Sequence, residues 1–475
     1  MKYRIAAMIA LMAAHAPVAG ADDGYYDPGF ATGGRKLVDV SSGPNDLGKI
    51  LRLQPDGKML LAGTCDKSET INGFTGFFPK FCATRLRADG SYDTSFGPGG
   101  VGYIRFDRFE PAPVDFPHNS TLADMQRLDD GRIVFLGRET GPGVFLAMLN
   151  ADGSALDPGA GGGAGFINQY SASDGTGESL QVLADGKLLV GGSMTGPNGN
   201  ADFAVMRFLS DLSIDASFGN GGYQTVSFDL GGPSGDNSDV GRAIALQADG
   251  RILIVGQAAV NLPANLVDIA IARLLPNGQL DPDFGPNQDG RTHFTLQGYS
   301  AASAVGVDAL GRIAFAGFTA NVATLSVSCV VNRLLGDGSQ DPAFNPSGGV
   351  GQPRQFRVPT NTGDFGCLLA NIEVRPDGTI FAIGDTYRNS GLTNSYAAVA
   401  KLEPDGTFDS TFGINGRSFA SYSVAANKTD SGKAVAVGNG GLMIAGASTN
   451  AAGNDTQFGI ARLILDTLFR NGFEG

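Results

Sequence analysis

Histidine is almost missing from this chain: there are three in 475 residues, and only His118 and His293 lie beyond residue 21. A Ser-His-Asp triad needs a histidine beside its nucleophile, and most zinc sites need several His or Cys ligands. Each lone histidine therefore reads as a surface or structural residue, and no catalytic, cofactor-binding or metal-binding residue is assigned. Long apolar runs are missing too, since none approaches the ~20 residues that a membrane helix needs. No membrane insertion is expected. Positive charge is scarce, with 34 Lys and Arg against 47 Asp and Glu. That excludes nucleic acid and anionic membrane surfaces, which both require clustered positive charge.

What the chain has in quantity is glycine, 71 residues, with 23 prolines in a sequence that is still 42% apolar. This mixture describes many short strands joined by tight turns, because Gly supplies positive φ and Pro cannot sit inside a ladder. Residues 1–21 read as a secretory signal: Lys2 and Arg4, an apolar run from Ile5 to Ala14, then Ala19-Gly20-Ala21 before Asp22. Removing it takes two positive charges from a net of −13 and leaves −15, which suits an exported, self-repelling monomer in the periplasm, at the cell surface or outside the cell. In such a chain four cysteines can pair. Cys65 and Cys82 fall on successive strands of one unit, and Cys329 and Cys367 fall in successive units. Free buried thiols are the alternative for both pairs.

Self-similarity organises the rest. A connector Asp-x-x-Phe-Gly places its Asp at Asp27, Asp93, Asp157, Asp215, Asp281, Asp341 and Asp409, 58 to 68 residues apart. Its aromatic is Phe30, Phe96, Phe218, Phe284, Phe344 or Phe412, with Ala160 breaking the third copy. Between connectors, apolar alternation runs through Asp-Gly, as in Leu51-Arg-Leu-Gln-Pro-Asp56-Gly57-Lys-Met-Leu-Leu-Ala-Gly63. This is a hairpin signal of the type I′ kind. It recurs at Asp130-Gly131, Asp185-Gly186, Asp249-Gly250 and Asp377-Gly378, and in altered form at Leu310-Gly311 and Gly440-Gly441. A third marker ends an apolar strand in Arg-Leu or a variant, at Arg85, Arg207, Arg273, Arg333, Lys401 and Arg462, with Met148 in the second copy.

With the strand after each connector, these markers define four strands per unit and seven units over residues 22–465. One unit cannot bury both of its faces, so the copies must stack. The expectation is an all-β, seven-bladed propeller of four-stranded antiparallel blades, closed by contact between the first and last repeats. An open β-solenoid, which usually has shorter coils, is the rival.

In this combination of Gln54-Pro55-Asp56-Gly57-Lys58 with Leu60-Leu61-Ala62-Gly63, then Arg85-Leu86, then Asp93-Thr-Ser-Phe96-Gly97, the chain resembles the delta-60 repeat family of bacterial proteins. The resemblance covers nearly all of residues 22–465 and implies a propeller-like exported or surface protein, without implying an activity. Residues 466–475 resemble a C-terminal tail of exported proteins and also a degenerate connector, so a sorting role and a docking role are both open.

The chemistry that can be searched for is thin. Gly97-Pro-Gly99-Gly-Val-Gly102 has dinucleotide-loop spacing but no helix pattern after it, so it is set aside as a connector turn. No cofactor is expected. The acidic loop Pro233-Ser-Gly-Asp236-Asn-Ser-Asp239 is the one candidate for calcium. The repeated pairs Arg85 with Asp93, Arg207 with Asp215, Arg273 with Asp281, Arg333 with Asp341, and the copies Asp409 and Arg462, read as bidentate structural bridges. Unrepeated long loops are the places for function: Lys67 to Lys80 with Phe74, Phe77 and Phe78, which either form a contact surface or cover a blade edge, then Phe106 to Thr121, then Pro233 to Asp239. Two functions remain from this reading: a non-enzymatic scaffold that binds protein or glycan, or a polysaccharide lyase or hydrolase with carboxylates at the propeller mouth.

Overall fold

The computed structural model describes residues 24–465 apart from 42, 72–73, 107–118, 139–142, 170–174, 232–236, 261–265, 297, 322, 325, 346–347, 349–351, 359–365, 388–394, 423–428, 439 and 450–453. The leader 1–21 and the tail 466–475 lie outside the described residues. The strands form seven antiparallel four-stranded sheets. In the first blade Asp46–Leu53 is the inner strand, followed outward by Met59–Ile71, Phe74–Leu86 and Tyr103–Phe106. The other inner strands are Thr121–Arg127, Thr176–Val182, Asp239–Leu246, Tyr299–Val307, Cys367–Val374 and Thr429–Gly438. Each lies beside the inner strands of both neighbouring blades, all the way round the ring. The molecule is a seven-bladed β-propeller.

The middle strands of a blade are its most buried, in the fourth blade along their whole length, Ile252–Ala259 and Val267–Leu274. They read as continuous apolar runs because a neighbouring blade covers each face. The buried apolar residues accordingly fall into seven clusters, one in each seam between adjacent blades. The seventh blade has only three strands from the C-terminal end of the chain. Its outer strand is Arg35–Val38, paired with Thr456–Ile464 in the register Arg35↔Ala461 to Val38↔Phe458. The first and last repeats therefore close the ring, and Asp27 to Phe30 serve as the connector of the last blade.

Two turns differ from expectation. The hairpins at Asp-Gly are not type I′: in the first, Gly57 has φ 78° while Asp56 is absent from the positive-φ residues. Gly57 N–H donates to Gln54 O at 2.9 Å and Gln54 N–H to Lys58 O at 2.8 Å. This is a three-residue loop, a type I turn with one left-handed Gly in a bulge. Lys67 to Lys80 is not a loop: its residues continue the two middle strands of the first blade, with Lys67 opposite Phe78 and Ile71 opposite Phe74.

The repeated Arg and Asp bind adjacent blades rather than one connector. Arg85 Nε donates to Asp93 Oδ2 at 2.7 Å, and its Nη1 donates to Ala151 O of the second blade at 3.0 Å. Arg207 does the same with Asp215 at 2.8 Å and Pro276 O at 2.9 Å. Arg273 and Arg333 meet Asp281 and Asp341 at 2.7 Å and reach Gly336 O and Pro404 O. Arg462 ties the ends, holding Asp27 at 2.7 Å, and Lys401 holds Asp409 at 2.6 Å. The guanidinium thus spans two blades, where a bidentate clasp on one carboxylate was expected. In the second copy, where Met148 replaces the arginine, Arg132 reaches Asp157 at 3.0 Å from the position after the Asp-Gly turn.

Each guanidinium also lies over the connector ring, for example Arg85 over Phe96 at 4.7 Å and Arg273 over Phe284 at 4.6 Å. The far side of that ring abuts the turn glycine of the next blade: a Cβ on Gly153 would come within 2.3 Å of Phe96, and one on Gly338 within 2.6 Å of Phe284. The third copy departs at both partners together. Ala160 replaces the ring, and Leu212, at φ 72° in the glycine's place, is fully buried in the same cluster. The leucine fills the volume that the missing phenylalanine leaves.

Two predictions follow from these ties. Asp281→Ala leaves the buried Arg273 guanidinium without its carboxylate and should cost about 3–5 kcal/mol in denaturant unfolding; an unchanged midpoint would show that the tie carries no stability. Ala160→Phe and Leu212→Gly should each destabilise alone, the first by overpacking and the second by ~2–4 kcal/mol of lost burial. Together they should recover most of the loss, and strictly additive losses in a double-mutant cycle would refute the exchange of volumes.

Candidate functional site

Antiparallel order gives the propeller two unlike ends. Both tight turns of a blade, inner to second strand and third to outer strand, lie at one end with the Arg–Asp ties. The hairpins between second and third strands and the linkers to the next blade lie at the other. The extended hairpin of the first blade lies there, and so do the strand ends Phe106 and Thr121, and Val226 and Asp239, that flank two of the linkers.

Just below that end, every inner strand carries a β-bulge at the same station. The unpaired residues are Lys49, Ala123, Glu178, Arg242, Ser303, Ala370 and Lys433. The glycine opposite makes room for the bulge. A Cβ on Gly63 would lie 2.0 Å from the Leu47 carbonyl oxygen, and at Gly137, Gly192, Gly256, Gly317, Gly384 and Gly446 the distance is 1.8–2.4 Å. The final Gly of Leu-Leu-Ala-Gly is thus a close-approach residue. Bulges re-aim side chains, and here the bulged residue differs in chemistry from blade to blade.

The polar groups around the axis are linked from blade to blade. Arg52 Nη2 donates to Asp124 Oδ1 at 2.7 Å, and Leu180 N–H donates to Asp124 Oδ2 at 2.8 Å. Gln126 Nε2 reaches Leu180 O at 2.8 Å. Glu178 pairs with Arg138. Lys433 pairs with Asp385 at 3.1 Å, and Gly432 N–H donates to Asp385 Oδ1 at 2.9 Å. Inner strands have an unpaired edge, and these side chains satisfy it. Burial pushes the Asp385 and Glu373 carboxyls upward, against Lys433 and Arg375 respectively. None of these axial residues was singled out by the sequence, because a bulge residue that changes chemistry from copy to copy leaves no repeated signal; the Gly opposite it was the available clue.

Beyond the Arg–Asp ties and the two cysteine pairs, the residues that the sequence singled out do not gather at one site. Cys65 is bonded to Cys82 at the root of the extended hairpin, and Cys329 to Cys367 between the fifth and sixth blades. His293, on an outer strand of the fourth blade, places Nδ1 2.9 Å from the buried Asp268, which also accepts from Thr295 Oγ1 at 2.6 Å. It borders a shallow cleft of about 340 Å³ with Phe294, Gln340 and Pro353. His118 lies outside the described residues. Phe77 is half exposed on the first-blade hairpin, and Phe78 packs beside Gly76. Of the calcium candidate, residues 233–236 lie outside the described residues, and Asp239 turns inward to accept from Phe228 N–H at 2.7 Å. Among the described residues no three His, Cys, Asp or Glu side chains group to hold a metal ion.

Asp46 occupies the matching position in the first blade, accepting from Val40 N–H at 2.9 Å and Ser41 N–H at 3.1 Å. Both carboxyls are buried, each with one oxygen lacking a partner. Desolvation raises Asp46 to about 6 and Asp239 to about 7. Groups raised in the folded state contribute stability that is full below ~4 and lost as pH rises through 6 to 7. Connector carboxyls such as Asp215, held low by the Ser217 hydroxyl and Arg207 against desolvation, act oppositely and weaken the fold only below ~4. The melting temperature should therefore rise as pH falls from 8 to 5. The double variant Asp46→Asn, Asp239→Asn should flatten the profile, and a wild-type profile that is flat or falls toward pH 5 would contradict this.

No curated protein matches the sequence. Among solved structures the chain is similar to a protein of unknown function from Dyadobacter fermentans, with 11% identity over 73% of this chain and 95% of that one at a TM-score of 0.41. It is similar to Trypanosoma rangeli sialidase, with 12% identity over 92% and 60% at 0.40, and to endo-arabinase from Bacteroides thetaiotaomicron, with 13% over 60% and 93% at 0.30. Likenesses this distant carry no functional argument. By sequence, residues 183–218, 247–284 and 375–412 match the family described as domain of unknown function (DUF5122) beta-propeller. Each matched segment runs from an Asp-Gly hairpin to a connector phenylalanine, which supports a β-propeller repeat family.

Proposed function

We propose that this chain is an exported, non-enzymatic binding scaffold whose loop-bearing end contacts a glycan or protein outside the cytoplasm. The observation that carries this is the division of labour between the two ends. Repeated Arg, Asp, Phe and Gly residues build one end, while the extended first-blade hairpin and the unrepeated bulge residues lie toward the other. Two disulfides and the leader-like residues 1–21 support export. The finer kinship with delta-60 repeat proteins belongs to the same proposal.

The rival reading, a polysaccharide lyase or hydrolase, draws less support from the axis. Glycoside hydrolysis uses two carboxyls facing each other across a gap. Here Asp124 is engaged by Arg52, Glu178 by Arg138 and Asp385 by Lys433. Carboxylates held this way suit positioning and recognition.

A glycan array and a cross-linking experiment on intact cells, each with the labelled mature protein, test the proposal. Saturable binding without chain cleavage is expected. Release of shorter sugars from a bound polysaccharide would overturn the non-enzymatic reading, and absence of binding in both assays would overturn the scaffold.

A further inference from the structure

The residue before each connector Asp bridges to the third strand of its blade at one fixed station, and the copies there are apolar or aromatic: Tyr26, Tyr92, Leu156, Ile214, Leu280 and Phe408. The fifth blade has Gln340 instead, bridged to Leu334. Two residues ahead of that leucine stands Asn332, only 1% exposed, where Ala147, Ala272, Ala400 and Ala461 stand in other copies. Asn332 Nδ2 donates to Gln340 Oε1 at 3.2 Å. An amide buried in an apolar seam is costly unless it is hydrogen-bonded, and this one holds the glutamine in a single orientation. With Oε1 engaged, the two N–H groups of Gln340 Nε2 are turned the other way and donate to no described residue.

Gln340 lines the cleft of about 340 Å³ on the outer flank, between the fourth and fifth blades and beside the Arg–Asp ties. Phe294, Leu296, Pro286 and Pro353 supply its apolar surface, and the Phe294 ring is braced by Phe315 at 5.4 Å between centroids. Asn345 fixes the rim on the fifth-blade side, donating from Nδ2 to Gln352 O at 3.2 Å and accepting from Arg354 Nη1 at 3.0 Å. No Asp, Glu, Lys or Arg is among the described residues that line the cleft. The equivalent groove at the closing seam is charged, lined by Arg35, Lys36 and Asp89. There Lys36 holds the station of Thr292 and lies 4.3 Å over Tyr92, which holds that of Gln340. The uncharged lining therefore belongs to this seam and not to the repeat.

We propose that this cleft binds an uncharged saccharide ring, at a site separate from the loop-bearing end. A concave apolar wall with a few fixed polar groups is the usual form of a small-molecule site, and 340 Å³ is at the low end of the ~300–1,000 Å³ that such sites occupy. A lining without Asp, Glu, Lys or Arg selects an uncharged ligand, because a carboxylate or ammonium group would lose water there without gaining a counterion. A sugar ring matches both kinds of surface present. Its C–H face packs on Phe294, whose π face is negative, and one of its hydroxyls accepts from Gln340 Nε2. Gln352, exposed at the rim, offers a second amide. A purely apolar ligand would leave the Gln340 N–H groups dry, which is costly.

Calorimetric titration of the mature protein with cellotriose, maltotriose, mannotriose, galactotriose and tri-N-acetylchitotriose, at low and high salt, tests it. At least one of these sugars should bind, with the same affinity at both salt concentrations, since no ion pair forms. Asn332→Ala with Gln340→Leu gives the fifth blade the pair that Ala272 and Leu280 supply in the fourth. This double variant should melt at an equal or higher temperature and bind the sugar at least about tenfold more weakly, through loss of the fixed donor. Gln340→Leu alone serves if the double variant does not fold. No binding by any of these sugars, or affinity that falls steeply with salt, overturns the site. Sugar binding that is unchanged in the variant also overturns it and leaves the loop-bearing end as the glycan contact. Cross-linking on intact cells that persists in the variant reports on the loop-bearing end alone, so the two readings fail separately.

Discussion

Each blade is apolar on both faces, and this constraint decides the rest. A sheet of that kind has no stable state alone, so every blade must be covered twice, and closing the array on itself covers the end blades without capping repeats. Closure falls to the outer strand Arg35–Val38, which completes the last blade. The seven seam clusters are near-equivalent, so the cohesion of the molecule is distributed evenly and no single core dominates.

Within the seams, the Arg, Asp, Phe and Gly of the repeat act as one unit. The carboxylate accepts the guanidinium, the guanidinium reaches the next blade's backbone and covers the ring, and the ring rests against a glycine. A unit that works this way tolerates loss when the carboxylate keeps a cation or the lost volume is refilled. The second copy replaces the arginine with Met148 and keeps only the second cation on its Asp157, Arg132, the counterpart of Lys58, Lys187 and Arg251 in the first, third and fourth copies. The third removes the ring and enlarges the glycine to Leu212. Exposed ion pairs contribute little, but Asp281 and Arg273 are almost fully buried, where an unmatched partner is costly.

The repeat made the fold legible, because three markers in fixed order count the blades without any view of the structure. The Asp-Gly signal located five of the hairpins, with altered forms at the other two, but fits two turn types, and the register Leu53↔Met59 selects the longer loop. Polar and glycine-containing composition disguised Lys67 to Lys80 as a loop, although two strands that project beyond a blade need no apolar face. The axial site was illegible for a physical reason. Lys49, Ala123, Glu178 and Arg242 share a backbone position and no chemistry, so only the geometry of the bulge unites them. The Arg–Asp pairing was visible, whereas its reach into the next blade was not, since a backbone carbonyl has no residue type to recognise.

The closing strand also sets an order of events in time. Asp27 and Arg462 meet across 435 residues of sequence, so the first blade-forming segment to leave the ribosome is the last to find its place. At roughly 5–20 residues per second of synthesis, it waits about 20–90 s for its partner. Until then six blades can assemble in sequence while the ring gapes at one seam. The protein completes its fold only when its two ends are on the same side of any barrier that the chain has to cross.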